Sequence, residues 1–216
     1  LLEALGVKID LGPEAVARCI DEVGIGFLFA PHLHPAMKYA AGPRREMGVR
    51  TIFNILGPLT NPAGANHQLM GIYDARLTDT LAHVLGILGC HHALVVHSAD
   101  GLDELSTAAA NQISELRDGN VKTYRLDATS LGLTMAGKED LKGGDIAQNV
   151  HIARDILKGE KGPRRDIVLL NAAAALVAAD KAGNFPTGLS MAAESIDSGK
   201  AEDKLEALVK LSQSLG

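Results

Sequence analysis

Three carboxylates fall within five residues in VHSADGLDELS, residues 96–106: Asp100, Asp103 and Glu104. At that spacing they repel one another unless a cation or a basic ligand sits among them. Mg²⁺ suits such a group, because it is a hard ion commonly held by one or two carboxylates together with phosphate oxygens and water. The alternative is a solvated acidic loop that caps the helix after it. A second stretch, AGPRREMGVRTIFNILGPLTNPAGA (residues 41–65), places Arg44, Arg45 and Arg50 ahead of an expected strand. An arginine fork can grip a carboxylate through two parallel hydrogen bonds. Arg44 lies ten residues after His34 on one helix-like stretch, so the two could face one pocket; the alternative is a solvated basic face. Gly57 and Pro58 in GPLTNP would form a tight wall for a flat ligand, or an ordinary strand-ending turn.

Other polar residues carry less. His32 and His34 form an H-x-H pair between Pro31 and Pro35, but no third ligand of matching spacing is nearby, so zinc is not expected. His91-His92 opens a strand edge and is expected to face solvent. Gly143-Gly144-Asp145 precedes a helix, where free N–H groups could cradle phosphate. The charge of Asp145 discourages an anion there, and the residue reads as a helix cap.

The elements that must position these residues follow from periodicity. LLEALGVKID reads as part of a helix, and PEAVARCIDEV as a second one started by Pro13 and ended by Gly24 and Gly26. FLFAPHLHPAMKYAA reads as a short apolar turn leading into another helix. TIFNILGP and HQLMGIYD read as strands, RLTDTLAHVLGILG as a helix, and ALVVHS as a buried strand. NQISELRDGNVKTYRLDA predicts a hairpin folded at Asp118-Gly119. Three helical stretches complete the chain: GGDIAQNVHIARDILKGEKG, the Ala-rich PRRDIVLLNAAAALVAADKAG, and LSMAAESIDSGKAEDKLEALVKLSQSL. The class is α/β, a central mixed sheet flanked by helices, with the acidic loop at the carboxyl end of a strand where such folds place ligands.

Composition narrows the function classes. A chain of 216 residues, 46% of them hydrophobic, can bury a substantial core. The balance of 21 Lys+Arg against 26 Asp+Glu, a formal charge of −5, fits neither a disordered acidic chain nor a basic nucleic-acid surface. The only cysteines, Cys19 and Cys90, exclude a disulfide framework or zinc ribbon and suit a reducing cytoplasm. No apolar run reaches about 18 residues, so no membrane span is expected. The first ten residues lack the basic and apolar regions of a signal peptide. A chain whose first residue falls inside a helix is expected to have lost something upstream.

HPAMKYAAGPRREMGVRTIFNILGPLTNPAGANHQLMGIYD, followed by VVHSADGLDELS and GGDIAQNVHIARDIL, resembles the anthranilate phosphoribosyltransferases of tryptophan biosynthesis. These enzymes join anthranilate to 5-phosphoribosyl-1-pyrophosphate. The resemblance runs essentially from residue 1 to 216 and is dense around R-x-x-x-G-x-R-T-x-F-N-x-L-G-P-L-x-N-P. It implies a fold similar to that of the pyrimidine nucleoside phosphorylases, a small helical domain against a larger α/β domain, in a cytoplasmic homodimer formed through the helices. It also implies that Arg44 meets the anthranilate carboxylate, that Ala30, Pro31, His34 and Met37 line the anthranilate channel, and that Gly57 and Pro58 form its other wall. His34 is then a channel residue rather than a base, and no general base is assigned. Asp103 and Glu104 match the acidic pair that holds Mg²⁺ on the pyrophosphate, with Asp100 left to loop structure.

One departure matters. The family's Gly-rich G-T-G-G-D loop, its N-x-S/T segment and its K-H-G-N stretch, which bind the phosphoribosyl donor, are absent from these residues. The only Gly-Gly-Asp, at 143–145, matches a different segment. The expectation is a partial α/β catalytic domain over 1–216, resembling the C-terminal two-thirds of the enzyme, with helical segments in 1–50 that pack against an N-terminal helical domain. Lacking the full donor site, it is not expected to transfer alone. Two other readings are a non-catalytic nucleic-acid-binding relative, which the charge balance opposes, and a pyrimidine nucleoside phosphorylase-like enzyme, which FNILGPLTNP and DGLDELS oppose.

Overall fold

The computed structural model describes residues 1–33, 39, 42, 46, 48 and 51–216. The chain divides into two compact units, one built from Leu1–Pro62, Gly143–Lys158 and Ser198–Gly216, the other from Ala63–Lys142 and Gly159–Asp197.

The second unit is an α/β layer structure. Strands β1 (His67–Gly71), β2 (His92–Ser98), β3 (Asn111–Arg117) and β4 (Asn120–Leu126) lie in that order. β1 pairs parallel with β2, and the other neighbours are antiparallel, so the sheet is mixed as expected. The parallel pair needs a crossover, supplied by a helix over Thr78–Ile87. The β3–β4 hairpin turns at Asp118 (φ 49°) and Gly119 (φ 77°), two consecutive left-handed residues that match the twist of the strands. β2 is buried at every residue but His97, because both of its faces are covered. Leu94, Val96 and Ile113 pack with Leu170, Ala173 and Val177 of a long helix over Pro163–Ala178. In register behind them, Ser114 meets Thr78 of the crossover helix, oxygen to oxygen at 2.9 Å. A further helix, Phe185–Asp197, adds Phe185 to the core.

The first unit is helical among its described residues. Among the described residues of both units, the α-helices are, in chain order, α1 (Pro13–Val23), α2 (Ala30–Leu33), α3 (Phe53–Leu59), α4 (Thr78–Ile87), α5 (Ile146–Leu157), α6 (Pro163–Ala178), α7 (Phe185–Asp197) and α8 (Lys200–Ser214). α1 buries Val16, Cys19 and Val23 with Val7, Leu11 and Leu208 of α8. Lys204 of α8 donates its Nζ hydrogen bond to the Val23 carbonyl, filling an acceptor left open at the end of α1. Asp145 caps α5 by accepting from the Gln148 amide at 2.8 Å, which is the capping reading of Gly143-Gly144-Asp145.

Four expectations are corrected. LLEALGVKID forms a turn rather than a helix, because Gly6 takes φ 102° after a single turn. Residues 51–58 are not a strand: Phe53–Leu59 is α3, closed at its start by the Asn54 side chain on the Thr51 amide (2.9 Å) and at its end by the Thr60 hydroxyl on the Leu56 carbonyl (2.9 Å). Local side-chain bonds there override a β-branched run. The last helical stretch is two helices, α7 and α8, separated at Gly199 (φ 79°). His92 does not face solvent. It is 1% exposed, with Nδ1 at 2.8 Å from Asp180 and Nε2 at 3.1 Å from Glu115, so each ring nitrogen has a carboxylate partner. His91 beside it is exposed.

Asp180 is the hub of that network, facing His92, His67 at 3.2 Å and Arg117 at 3.4 Å. The His92 hydrogen bond, opposed by burial and aided by His67 and the nearby positive charges, holds its carboxyl below the ordinary range. A carboxyl lowered on folding contributes stability above its unfolded value, about 3.9, and loses it as pH falls through the folded value. Asp180→Asn, which tolerates the left-handed backbone at φ 54°, should therefore lower the urea midpoint at pH 7, with the gap to wild type closing below about pH 4. A gap that stays constant down to pH 3 would contradict this account of the network.

Candidate functional site

β2 ends at Ser98 and the chain runs on through an irregular loop to β3. Such a loop has no strand ladder to pair its backbone groups, so each buried one needs a dedicated partner. The first turn closes by Gly101 N donating to Ser98 O (2.9 Å) and Ser98 N to Leu102 O (3.1 Å). Asp100 is spent on this turn. Its carboxylate accepts from the Leu102 amide at 3.3 Å and the Ser106 hydroxyl at 2.7 Å. Burial pushes the Asp100 carboxyl up, but the bonds from Ser106 and Leu102 outweigh it and leave it lowered. The loop role expected for Asp100 is thus what the structure shows.

Two asparagines hold the far side of the loop. Asn111, 1% exposed at the start of β3, accepts from the Ser106 amide at 2.7 Å and donates to the Ser106 carbonyl at 2.9 Å. Asn171 of α6 does the same for Leu105, accepting from its amide at 3.0 Å and donating to its carbonyl at 2.8 Å. Each side-chain amide thereby acts as a short piece of a strand. Leu105 itself is fully buried in the sheet–helix core. Between these anchored points, Asp103 and Glu104 project as exposed residues.

Gly71, the last residue of β1, sets how closely the loop approaches the sheet. A Cβ at that position would lie 1.6 Å from the Asp103 carbonyl oxygen, so only glycine lets the two backbones meet. Glu104 lines a cavity of about 300 Å³ with Asp100, Leu102, Lys138, Leu141, Lys142 and Ile167. Burial, then the charges of Asp103 and Asp100, pushes the Glu104 carboxyl above its ordinary value. The crowding of negative charge at Glu104 is what a bound cation would relieve, and carboxylate oxygens are the ligands Mg²⁺ prefers. Among the described residues no group of three or more His, Cys, Asp or Glu is arranged to hold a metal ion unaided. Two carboxylates that share Mg²⁺ with phosphate and water need no such group.

The other expected site residues lie in the first unit. Ala30 and Pro31 are exposed in α2, beside His32, whose ring packs on Phe29 at 5.5 Å between centroids. Gly57 and Pro58 occupy the last turn of α3, Gly57 partly covered and Pro58 exposed. They therefore form part of a helix end and not a strand-ending turn. His34, Met37 and Arg44 lie outside the described residues. Sequence reading missed Gly71, Asn111 and Asn171. A polar residue inside the apolar LLNAAAALVAA was the one visible signal, and it pointed to Asn171.

The second unit is a mixed-sheet α/β layer with an acidic loop at the carboxyl end of a parallel strand, and comparison with known proteins says which family shares this fold. Residues 1–202 match the model of the glycosyl transferase family, a/b domain, and the chain belongs to that family. Its sequence is similar to two proteins described as anthranilate phosphoribosyltransferase. One is from Symbiobacterium thermophilum (58% identical over 96% of this chain and 61% of the relative), the other from Geotalea uraniireducens (57% identical over 98% and 60%). Among solved structures, anthranilate phosphoribosyltransferase from Thermus thermophilus superposes with a TM-score of 0.92 at 43% identity, over 99% of this chain and 63% of that one. The Saccharomyces cerevisiae enzyme in complex with PRPP and Mg superposes at 0.91 with 26% identity, over 100% and 62%. The chain spans about 60% of the length of the curated relatives it matches.

Gly71→Ala should destabilise the protein by about 1–3 kcal/mol, the usual cost of forcing atoms into a filled site. Thermal denaturation of the variant against wild type reads the effect, and a variant as stable as wild type would remove Gly71 from this role.

Proposed function

We propose that this chain serves the transfer of a phosphoribosyl group from 5-phosphoribosyl-1-pyrophosphate to anthranilate, giving N-(5-phosphoribosyl)anthranilate and pyrophosphate in tryptophan biosynthesis. The observation that carries this reading is the anchored Asp103–Glu104 pair at the carboxyl end of β2, in a chain similar to anthranilate phosphoribosyltransferases. A relative's structure in complex with PRPP and Mg, and another with 4-fluoroanthranilate, support the choice of substrates and cation. Among the described residues no helix is long and apolar enough to cross a membrane. A cytoplasmic homodimer, in which residues 1–216 form the α/β catalytic domain and the helical segments of 1–50 meet a further helical domain, belongs to the same proposal.

In this reaction the anthranilate nitrogen forms a bond to the anomeric carbon, the bond from that carbon to pyrophosphate breaks, and the amine loses a proton. An aryl amine is already a usable nucleophile, so the protein's contribution is alignment and charge stabilisation rather than strong base catalysis. Asp103 and Glu104 would hold Mg²⁺, which when bound supplies charge neutralisation on the departing pyrophosphate. Arg44 would orient the acceptor by gripping its carboxylate with two hydrogen bonds. Ala30, Pro31, His34, Met37, Gly57 and Pro58 would enclose the aromatic ring.

Replacing Asp103 and Glu104 together by Ala in the full-length protein should raise the Mg²⁺ concentration for half-maximal rate and cut turnover by about a hundredfold or more. An unchanged magnesium dependence removes the pair from cation binding. Arg44→Ala should raise the KM for anthranilate about tenfold to a hundredfold, the loss expected for a charge-assisted bond worth about 1.5–3 kcal/mol. The KM for the donor should stay near wild type, and equal effects on both would remove Arg44 from its role.

A further inference from the structure

We propose that Asn171 is a positioning residue for the cation-binding pair, setting where Asp103 and Glu104 stand through its two bonds to Leu105. This inference rests on the reading of that pair as the cation site. Asn171 sits partly buried in α6, in a stretch otherwise made of Leu, Ala and Val. Its amide is fully committed. Oδ1 accepts from Leu105 N at 3.0 Å, and Nδ2 donates to Leu105 O at 2.8 Å and to Ile167 O, one turn earlier in its own helix, at 2.9 Å. The bond to Ile167 fixes the amide plane relative to α6, and the pair of bonds to Leu105 transmits that plane to the loop.

Leu105 follows Glu104 directly, and among the described residues its main chain has no hydrogen-bond partner other than Asn171. Its side chain is buried with Leu170, Ala173 and Ala174, so the loop is fixed to α6 by packing on one side and by the amide on the other. Asp103 has the Gly71 contact as its own limit on the opposite side. The carboxylates therefore sit between a steric stop on β1 and a hydrogen-bonded stop on α6. A side chain that only stabilised the fold would need neither bond to fall on the residue next to Glu104. The position of both bonds is what ties Asn171 to the cation pair. A cation site needs its ligands held in a fixed arrangement, which makes such supporting bonds worth about ten- to a hundredfold in metal affinity.

The test is Mn²⁺ binding to the full-length protein in the presence of inorganic pyrophosphate, followed by the electron paramagnetic resonance of free Mn²⁺. Asn171→Leu keeps the branching at Cγ and loses all three bonds, and should raise the Kd for Mn²⁺ about tenfold. Asn171→Asp keeps the acceptor for the Leu105 amide and should fall between Leu and wild type. Anthranilate binding, read from its own fluorescence, should not change. A Kd within about twofold of wild type in both variants, with or without a loss of thermal stability, overturns the proposal, since supporting bonds are worth more than that. So does a loss of anthranilate affinity equal to the loss of cation affinity, because it marks general loosening. The double variant Asp103→Ala with Glu104→Ala separates the two levels. If it too binds Mn²⁺ as wild type does, the cation reading has failed; if it alone loses binding, only the role of Asn171 has.

Discussion

Where an irregular loop is buried its amides and carbonyls need hydrogen-bond partners, and at Leu105 and Ser106 this requirement organises the carboxyl end of the sheet. Between β2 and β3 side chains add to the main-chain bonds of the first turn: Asp100 for Leu102, Asn171 for Leu105 and Asn111 for Ser106. Leaving one such buried group unpaired costs about 1–3 kcal/mol, a large fraction of a domain's net stability. The loop is therefore held in one shape by the same bonds that let it be buried. Asp103 and Glu104, directly before these anchors, stay exposed.

Glu104 is placed at an electrostatic cost. Burial and its acidic neighbours push its carboxyl above the ordinary value, whereas the bonds from Ser106 and Leu102 hold that of Asp100 below it. Neighbouring acids of one loop are thus divided by their surroundings into a structural residue and a candidate ligand. The mixed sheet provides the location. β1 and β2 run parallel, joined by α4, so their carboxyl ends lie together, and Gly71 at the end of one strand meets Asp103 beyond the end of the other. At the opposite end of β2, His92 and Asp180 tie the strand to the end of α6, so that α6 is bonded to the sheet unit at its middle and just beyond its end.

What could be read from the sequence is what depends on neighbours in the sequence. The hairpin at Asp118-Gly119, the Pro13 start of α1, the cap at Asp145 and the acidic loop all follow from short patterns of residues, and each stands where expected. Three of the misreadings share an origin. His91-His92 looked like a solvated edge because the partner that buries His92, Asp180, lies 88 positions away. Asn171 is 66 positions from Leu105, and nothing in LLNAAAALVAA shows which main chain its amide meets. Gly71 read as an ordinary strand residue, since its constraint comes from Asp103, in a loop beyond the next strand. Residues 51–58 misled for the opposite reason: a β-branched run suggested a strand, while Asn54 and Thr60 supplied local bonds for a helix. The ligand identities came from resemblance to a family, and no residue pattern within this chain distinguishes anthranilate from another flat carboxylate.

The central claim is that the anchored acidic pair serves the transfer of a phosphoribosyl group to anthranilate. The most direct measurement follows the fluorescence of anthranilate in the presence of the full-length protein and 5-phosphoribosyl-1-pyrophosphate, with released pyrophosphate quantified in the same reaction. The account predicts that anthranilate disappears, that pyrophosphate appears one for one with it, and that chelating the divalent cation stops both. Anthranilate left unconsumed, or consumed at the same rate after chelation, would contradict it.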